Sequence, residues 1–426
     1  MTSGDRDTRG MEHATSLTRS DFEALDRNDP LSEFRSRFAL PAGLIYLDGN
    51  SLGAMPLQTP ARLQQVIMQE WGQGLVRGWS AAGWVDLPQR LGDKVGRIIG
   101  ARPGETLVAD STSVNLFKLL AMALRLRPQR RVILSESGNF PTDLYIAEGL
   151  VSLLAQGHVL RSVAVEDIEQ AIGEDVAVVL LSHISYRSGR MHDLAAITAK
   201  AHAAGALVLW DLAHSAGAVP LALAEADVDF AVGCGYKYLN GGPGAPAFLY
   251  IAQRLHDAVA TPLSGWFGHA RPFDFAAHYV PAAGVVRAMA GTPPILSMAA
   301  LEVGVDLLLE APMAALREKS LRQTRLFAEL AEQALAAYGL RVVSPREDTQ
   351  RGSQVCLQHE QAWPLSQALI ARGVIGDFRA PDILRFGFTP LYVGYAEIWD
   401  AVAVLAQLLR SGDWDQPQYH ARARVT

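Results

Sequence analysis

The chain reads as an α/β protein, with a mostly parallel sheet in a large domain followed by a smaller α/β C-terminal domain. Two observations predict this. From about residue 107 short apolar runs recur, at Leu107–Ala109, Val132–Leu134, Val176–Ser182, Ala206–Trp210, Phe230–Gly233 and Ala247–Ile251. Most are separated by helical stretches such as Val114–Leu124, Thr142–Leu154 and Leu194–Ala203. Runs this apolar suit strands covered on both faces, as in a parallel sheet flanked by helices. Ligands of such sheets bind beyond the carboxyl ends of the strands, so the polar residues closing each run are the ones to inspect.

Ahead of the sheet lie an amphipathic stretch, Asp21–Phe38, a short strand, Ile45–Leu47, a turn, Asp48–Gly53, and a helix over Pro60–Gly72. Residues 1–18 are polar, and Met11 is a second possible start. Beyond Thr292-Pro293-Pro294 the texture changes. Ile295–Leu309 and Met313–Tyr338 read as long helices joined near Ala311-Pro312, and short strands with two more helices follow to about Trp414.

Bulk composition narrows the function classes. The 426 residues are 49% hydrophobic and 19% charged, with a net charge of −6. Nothing there suggests disorder, a nucleic-acid partner or a basic membrane face. No run approaches the ~18 apolar residues of a membrane helix, and the N-terminus has no apolar core of a signal peptide. The two cysteines, Cys234 and Cys356, lie far apart and make no disulfide framework. A cytoplasmic location is the simplest expectation.

Asp211 closes the apolar run Ala206–Trp210, and His214 follows. Alone, Asp211 reads equally as a helix cap. Lys237 stands between Tyr236 and Tyr238, past the run Phe230–Gly233 and before Gly241-Gly242-Pro243-Gly244. A lone lysine there is most simply a surface charge. The pair reads differently, because pyridoxal phosphate (PLP) needs an amine for its Schiff base and an acid to keep its pyridine nitrogen protonated. Asp211 and Lys237 lie 26 positions apart, a spacing common among PLP enzymes of the aspartate-aminotransferase-like fold. Ser111-Thr112-Ser113 opens a helix, a ready anion site for the phosphate, although a plain cap explains it as well. Phe140 can stack on the ring and Asp143 bond near it, with ordinary core packing as the alternative for Phe140. The eleven histidines offer no metal-ligand spacing. The glycine-rich turn fits neither a dinucleotide nor a P-loop pattern, and Leu263–Gly268 is no serine-nucleophile elbow.

From Tyr46 to Tyr392 the chain resembles the kynureninases, of the bacterial type. The matching segments are YLDGNSLG (Tyr46–Gly53), NFPTDLYIAEGL (Asn139–Leu150), WDLAHSAGAVP (Trp210–Pro220), YKYLNGGPG (Tyr236–Gly244), LSGWFGH (Leu263–His269), GTPPI (Gly291–Ile295) and RFGFTPLY (Arg385–Tyr392). The resemblance implies the aspartate aminotransferase fold of PLP-dependent transferases. It implies a polar tail over 1–18, a segment 19–65 packing with the small domain, a large PLP-binding domain over 66–300 and a small C-terminal domain over 301–426. It also implies PLP on Lys237, with Asp211 on the pyridine nitrogen and His214 beside the cofactor. The turn Phe140, Pro141, Thr142 and Asp143 would hold the ring, and Thr112, Ser113 and Tyr236 the phosphate. Ser182 is expected near the cofactor, with Trp266 and Thr292 reaching it across a homodimer interface.

For the substrate, the resemblance implies that Arg385 clamps the α-carboxylate, a role suited to a guanidinium fork. Ser51 and Trp79 are expected in the same pocket, although Trp71, Trp79 and Trp84 equally suit ordinary packing. The implied reaction is hydrolysis of L-kynurenine to anthranilate and L-alanine in tryptophan breakdown or NAD supply, by cleavage of the Cβ–Cγ bond. 3-Hydroxykynurenine is a second possible substrate, and a tryptophan at position 79 favours the unhydroxylated one. Lys237 is the expected base, and Tyr236 the expected acid–base, alongside or instead of phosphate ligation. Two rivals remain open. A cysteine desulfurase needs a mobile nucleophilic cysteine, which neither Cys234 nor Cys356 resembles. A non-catalytic PLP-binding regulator needs a partner-binding module, and no such segment is visible.

Overall fold

The computed structural model describes residues 17–422, in two compact units. The polar tail read over 1–18 lies outside the described residues except for its last two positions, as does the second possible start at Met11. One unit comprises Gln58–Tyr186 and Met191–Glu310, and the other is built from the chain up to Leu57, Arg187–Arg190 and the chain from Ala311 onward.

The first unit is organised by a seven-stranded sheet. In chain order its strands are β1 (Thr106–Val108), β2 (Val132–Glu136), β3 (Val159–Val163), β4 (Val176–Ser182), β5 (Leu207–Asp211), β6 (Phe230–Gly233) and β7 (Phe248–Ile251). Across the sheet they run β1-β7-β6-β5-β4-β2-β3. Strands β2 to β6 are mutually parallel, and β7 is antiparallel to both β6 and β1. Every residue of β4 is buried, as expected of a strand covered on both faces. Helix Thr112–Leu126 lies across β4, β5, β6 and β7, and its Leu116, Leu119 and Leu120 join Leu180, Leu209 and Phe230 in one core.

Six of the seven strands were readable as apolar runs, and β3 was not. Its sequence, Val-Leu-Arg-Ser-Val, is polar in part and no residue in it is fully buried. It is an edge strand, recruited by pairing with β2 rather than by burial. The helix read over Pro60–Gly72 begins at Thr59 but widens after Gln65 into a π-helical turn, Val66–Trp71.

The second unit carries a four-stranded antiparallel sheet, ordered Arg341–Val342, Gln354–Gln358, Ile383–Gly387, Asp377–Arg379. Helices Met313–Leu335, Tyr395–Ser411 and Arg19–Arg27 pack in succession. The N-terminal segment is tied in twice. Ile45–Tyr46 pairs in parallel with Val374–Ile375. Asp26 accepts hydrogen bonds from the backbone of Tyr395 and Ala396 at 2.6 and 2.9 Å, placing a carboxylate at the positive end of a helix dipole. The amphipathic stretch from Asp21 breaks at Asn28-Asp29-Pro30, so its helix ends at Arg27 and a 3₁₀ turn, Ser32–Arg37, follows.

No helix among the described residues is long and apolar enough to cross a membrane.

Candidate active site

Strands β4 and β5 end in register, Ser182 beside Asp211. Their carboxyl ends open onto a cavity of about 280 Å³ in the first unit, near the lower end for small-molecule sites. Asp211 is its buried floor. Oδ1 accepts the Ala213 N–H at 2.7 Å, and the next backbone N–H, of Leu212, is spent on Val232.

A second carboxyl faces the first. Asp143, in the opening turn of helix Pro141–Leu154, is as deeply buried as Asp211. Burial, and then the charge of Asp211, raise the Asp143 carboxyl far above its ordinary value. Burial also raises Asp211, but Lys237, the Ala213 N–H and a hydrogen bond from Asp143 pull it the other way. Both carboxyls are thus raised, Asp143 the further of the two, so a proton shared by the pair rests on Asp143. Oδ2 of Asp143 meets no protein donor, as suits a carboxyl that keeps its proton. Ser182 hydrogen-bonds the same carboxyl.

Asn139, buried beneath this turn, joins two strand ends. Its Oδ1 accepts from the Phe140 N–H at 2.8 Å and from the Ser182 N–H at 3.1 Å, while its Nδ2 donates to Ser135 at 3.1 Å. Phe140 is thereby fixed just before the helix. It keeps 39% of its surface exposed and meets Tyr186 edge-on at 5.3 Å.

Lys237 rides on the turn after β6. The Asn240 N–H closes on the Lys237 carbonyl and the Gly241 N–H on the Gly235 carbonyl, both at 2.9 Å. Gly235 has no room for a side chain, since a Cβ there would stand 2.5 Å from the Pro246 carbonyl. The Lys237 amine lies 5.9 Å from the ring centre of Phe140 and 5.8 Å from that of Tyr236. Burial, and then Cys234 and Asp211, raise the Tyr236 phenol, so it is a hydrogen donor at neutral pH. At the opposite wall Ser111 caps its helix, accepting the Val114 N–H at 3.3 Å. That leaves Thr112 and Ser113 in the first helical turn, where hydroxyls and unpaired N–H groups favour an anion.

Ten of the predicted residues thus line one cavity: Thr112, Ser113, Phe140, Thr142, Asp143, Ser182, Asp211, His214, Tyr236 and Lys237. The donor set fits PLP at each end. An anion lies where a pyridinium needs one, an aromatic face is open, a helix N-terminus and a phenol suit a phosphate, and an amine suits an aldehyde. Pro141 does not line the cavity but starts its helix. Ile184, Tyr186 and Ala213 also line it and were not singled out from sequence. Ile184 and Tyr186 follow Ser182, so inspecting the whole loop beyond β4 would have found them.

The other predicted residues lie elsewhere. Trp266, the exposed first residue of a 3₁₀ turn, stacks near Phe275 at 6.0 Å, and Thr292 is exposed. Neither lines the cavity. Trp79 packs edge-on against Trp84 and beside Phe267, both at 5.6 Å, so here the ordinary-packing reading describes its contacts. Ser51 and Arg385 belong to the other unit, where Ser51 accepts from Arg385 Nη2 at 2.8 Å. Both share a partner that sequence reading passed over, Asp377, which takes Arg385 Nε at 2.8 Å and the Ser51 hydroxyl at 2.7 Å. Both cysteines are free and buried. Burial pushes the Cys356 thiol up to about 12 and raises that of Cys234, the reverse of an activated nucleophile.

Comparison with known proteins identifies the fold and the family. Solved structures of similar fold include an apo cysteine desulfurase from Thermococcus onnurineus, with a TM-score of 0.75 at 19% identity over 89% of this chain and 98% of that one. A C-DES variant with glycine covalently linked to its PLP cofactor has a TM-score of 0.72 at 18% identity, over 92% and 99%. Such identities establish the fold alone. Residues 316–405 match the kynureninase C-terminal domain. Over 96% of its length the chain is 54% identical to the whole of the kynureninase of Pseudomonas fluorescens, and 51% identical to that of Burkholderia pseudomallei. With its PLP-type fold and identity above one half across whole chains, the protein belongs to the kynureninase family.

Proposed function

We propose that the chain is a PLP-dependent hydrolase that cleaves the Cβ–Cγ bond of L-kynurenine, giving anthranilate and L-alanine in tryptophan breakdown. 3-Hydroxykynurenine is the second substrate of the same class. The observation carrying this reading is the meeting of Lys237, Asp211, Phe140 and a helix N-terminus around one cavity, in a chain of this family.

When bound, PLP supplies an electron sink for the charge that develops at the substrate's α-carbon. The chain's residues supply the rest. Lys237 would anchor the cofactor, and its free amine would be the base for the α-proton. Asp211 keeps the pyridine nitrogen protonated, and the Asp143 proton keeps two buried carboxylates from repelling each other. Phe140 would cover a ring face. Thr112, Ser113 and Tyr236 would donate to the phosphate. Tyr236 holds its proton at neutral pH, which suits it to return a proton to the carbon released by cleavage. Arg385 and Ser51 are read as the partners of the substrate's α-carboxylate, and Trp79 as a partner of its aromatic ring. A cytoplasmic location accords with two reduced, buried cysteines.

The reading includes a homodimer, with Trp266 and Thr292 serving the partner's site. Met68, Trp71, Leu75 and Val76 in one segment, and Trp266, Phe273 and Phe275 in another, are large, apolar and exposed, which marks a surface for covering. Light scattering should return about twice the mass of one chain, and a monomer at working concentrations would remove this part.

Reconstituted wild-type protein should absorb in the visible and release fluorescent anthranilate from kynurenine, and Lys237→Ala should lose both. A protein that stays colourless with PLP defeats the proposal. Tyr236→Phe should lower kcat about a hundredfold at saturating PLP, within the usual range for a lost acid–base group. Normal kcat with only weaker PLP binding would leave Tyr236 as a phosphate ligand. Asparagine mimics a neutral acid, so Asp143→Asn should keep kcat within about tenfold. Asp211→Asn should cost about a hundredfold, the scale of one lost electrostatic partner. Equal losses in steady-state assays would refute the assignment of the shared proton.

A further inference from the structure

The unit that carries Arg385 builds a charged cluster from two segments 326 positions apart. Asp377 and Arg385 face each other across an antiparallel strand pair. Arg385 donates through Nε to Asp377 Oδ1 at 2.8 Å and through Nη2 to Oδ2. Arg379 donates to the same Oδ2 at 2.6 Å, and the Ser51 hydroxyl does so at 2.7 Å. Ser51 is presented by a turn whose first residue is Asp48, with the Ser51 and Leu52 N–H groups bonding the Asp48 carbonyl at 2.9 and 3.1 Å. Asp48 also bridges to Gly387, at the end of the arginine's own strand.

Burial alone would raise the Asp377 carboxyl, but the Arg385 guanidinium and its hydrogen bonds, with Arg379, hold it below its ordinary value. Asp377 is therefore ionised, and two guanidiniums face one carboxylate. Asp48 is different. Its Oδ1 is buried and meets no protein donor. Burial, and then the Asp377 charge, push its carboxyl up to about 7, against the pull of Ser51, Arg385 and Arg379. The remaining groups facing it are the Tyr46 and Tyr392 phenols, both raised chiefly by burial and so neutral.

An arriving substrate carboxylate adds a negative charge to this cluster. With Asp48 ionised, three carboxylates would share two guanidiniums. With Asp48 neutral, the charges balance. We propose that Asp377 and Asp48 are positioning residues of the substrate-carboxylate subsite: Asp377 fixes the Arg385 fork, and Asp48 enters the bound state protonated, so that one carboxylate is captured together with one proton. The proposal rests on the reading of Arg385 as the carboxylate clamp. Its sign follows from linkage. A ligand that favours protonated Asp48 binds fully below the carboxyl's pKa and loses affinity as pH rises through about 7.

The probe is 4-oxo-4-phenylbutanoate, which has the substrate's carbon skeleton and carboxylate but no α-amine to titrate. Its binding to holoenzyme is followed by calorimetry from about pH 6 to about pH 9, in buffers of different ionisation enthalpy. Wild type should take up close to one proton per ligand near pH 8, with Kd rising towards tenfold per pH unit above neutrality. Asp48→Asn should take up none, and its Kd should not rise over that range. Asp377→Asn should weaken binding about tenfold or more at every pH, while the visible absorbance reports intact PLP loading. The wild-type proton count needs no variant, so it decides even if Asp48→Asn folds poorly. Absence of proton uptake, while Arg385→Lys still weakens binding, overturns the role of Asp48 alone. Unchanged binding in Asp377→Asn overturns that of Asp377. Binding indifferent to Arg385→Lys, or no binding at all, overturns the clamp reading beneath both.

Discussion

A carboxyl buried at the end of β5, on the floor of the cavity, governs the first unit. An ionised carboxylate in that position costs several kcal/mol in desolvation unless its surroundings answer it. The answers around Asp211 are all visible: a backbone N–H, a lysine on the next strand's turn, and a neighbouring acid that keeps its own proton. Each answer fixes an element. The N–H fixes the loop after β5, the lysine fixes the turn after β6, and Asp143 fixes the start of the helix after β2. The cavity is the space these three constraints leave between them.

The same logic explains what could be read from sequence. Asp211, Lys237 and the Thr112–Ser113 turn were legible because each follows an apolar run, and a buried parallel strand leaves a strong one-dimensional trace. Ile184 and Tyr186 left a weaker trace, their place in the loop just beyond β4, since loop residues gain their neighbours only when the sheet assembles. Strand β3 was invisible because an edge strand need not be apolar. Asp377 was missed because its meaning depends on cross-strand register with Arg385, eight positions later, and register is a property of pairing. Trp79 and Trp266 were singled out through family resemblance, and within one chain both pack against other aromatic side chains, Phe267 among them.

The relatives sharpen the distinction between scaffold and chemistry. Solved cysteine desulfurases share the fold at about one-fifth identity, while both cysteines of this chain are buried and hard to ionise. A sheet with an acid at one strand end and a lysine past the next can hold one cofactor in many enzymes. The side chains on the surrounding loops decide which bond is broken.

The hairpin joining Asp377–Arg379 to Ile383–Gly387 has an evolutionary consequence. Its two strands carry the two halves of an ion pair on directly facing positions. Register in a hairpin follows loop length, and a slip of one residue turns a side chain to the opposite face of the sheet. The length of the hairpin's tip is therefore held by the ion pair, since a gap or insertion there would turn Asp377 away from Arg385 and leave two buried charges without each other.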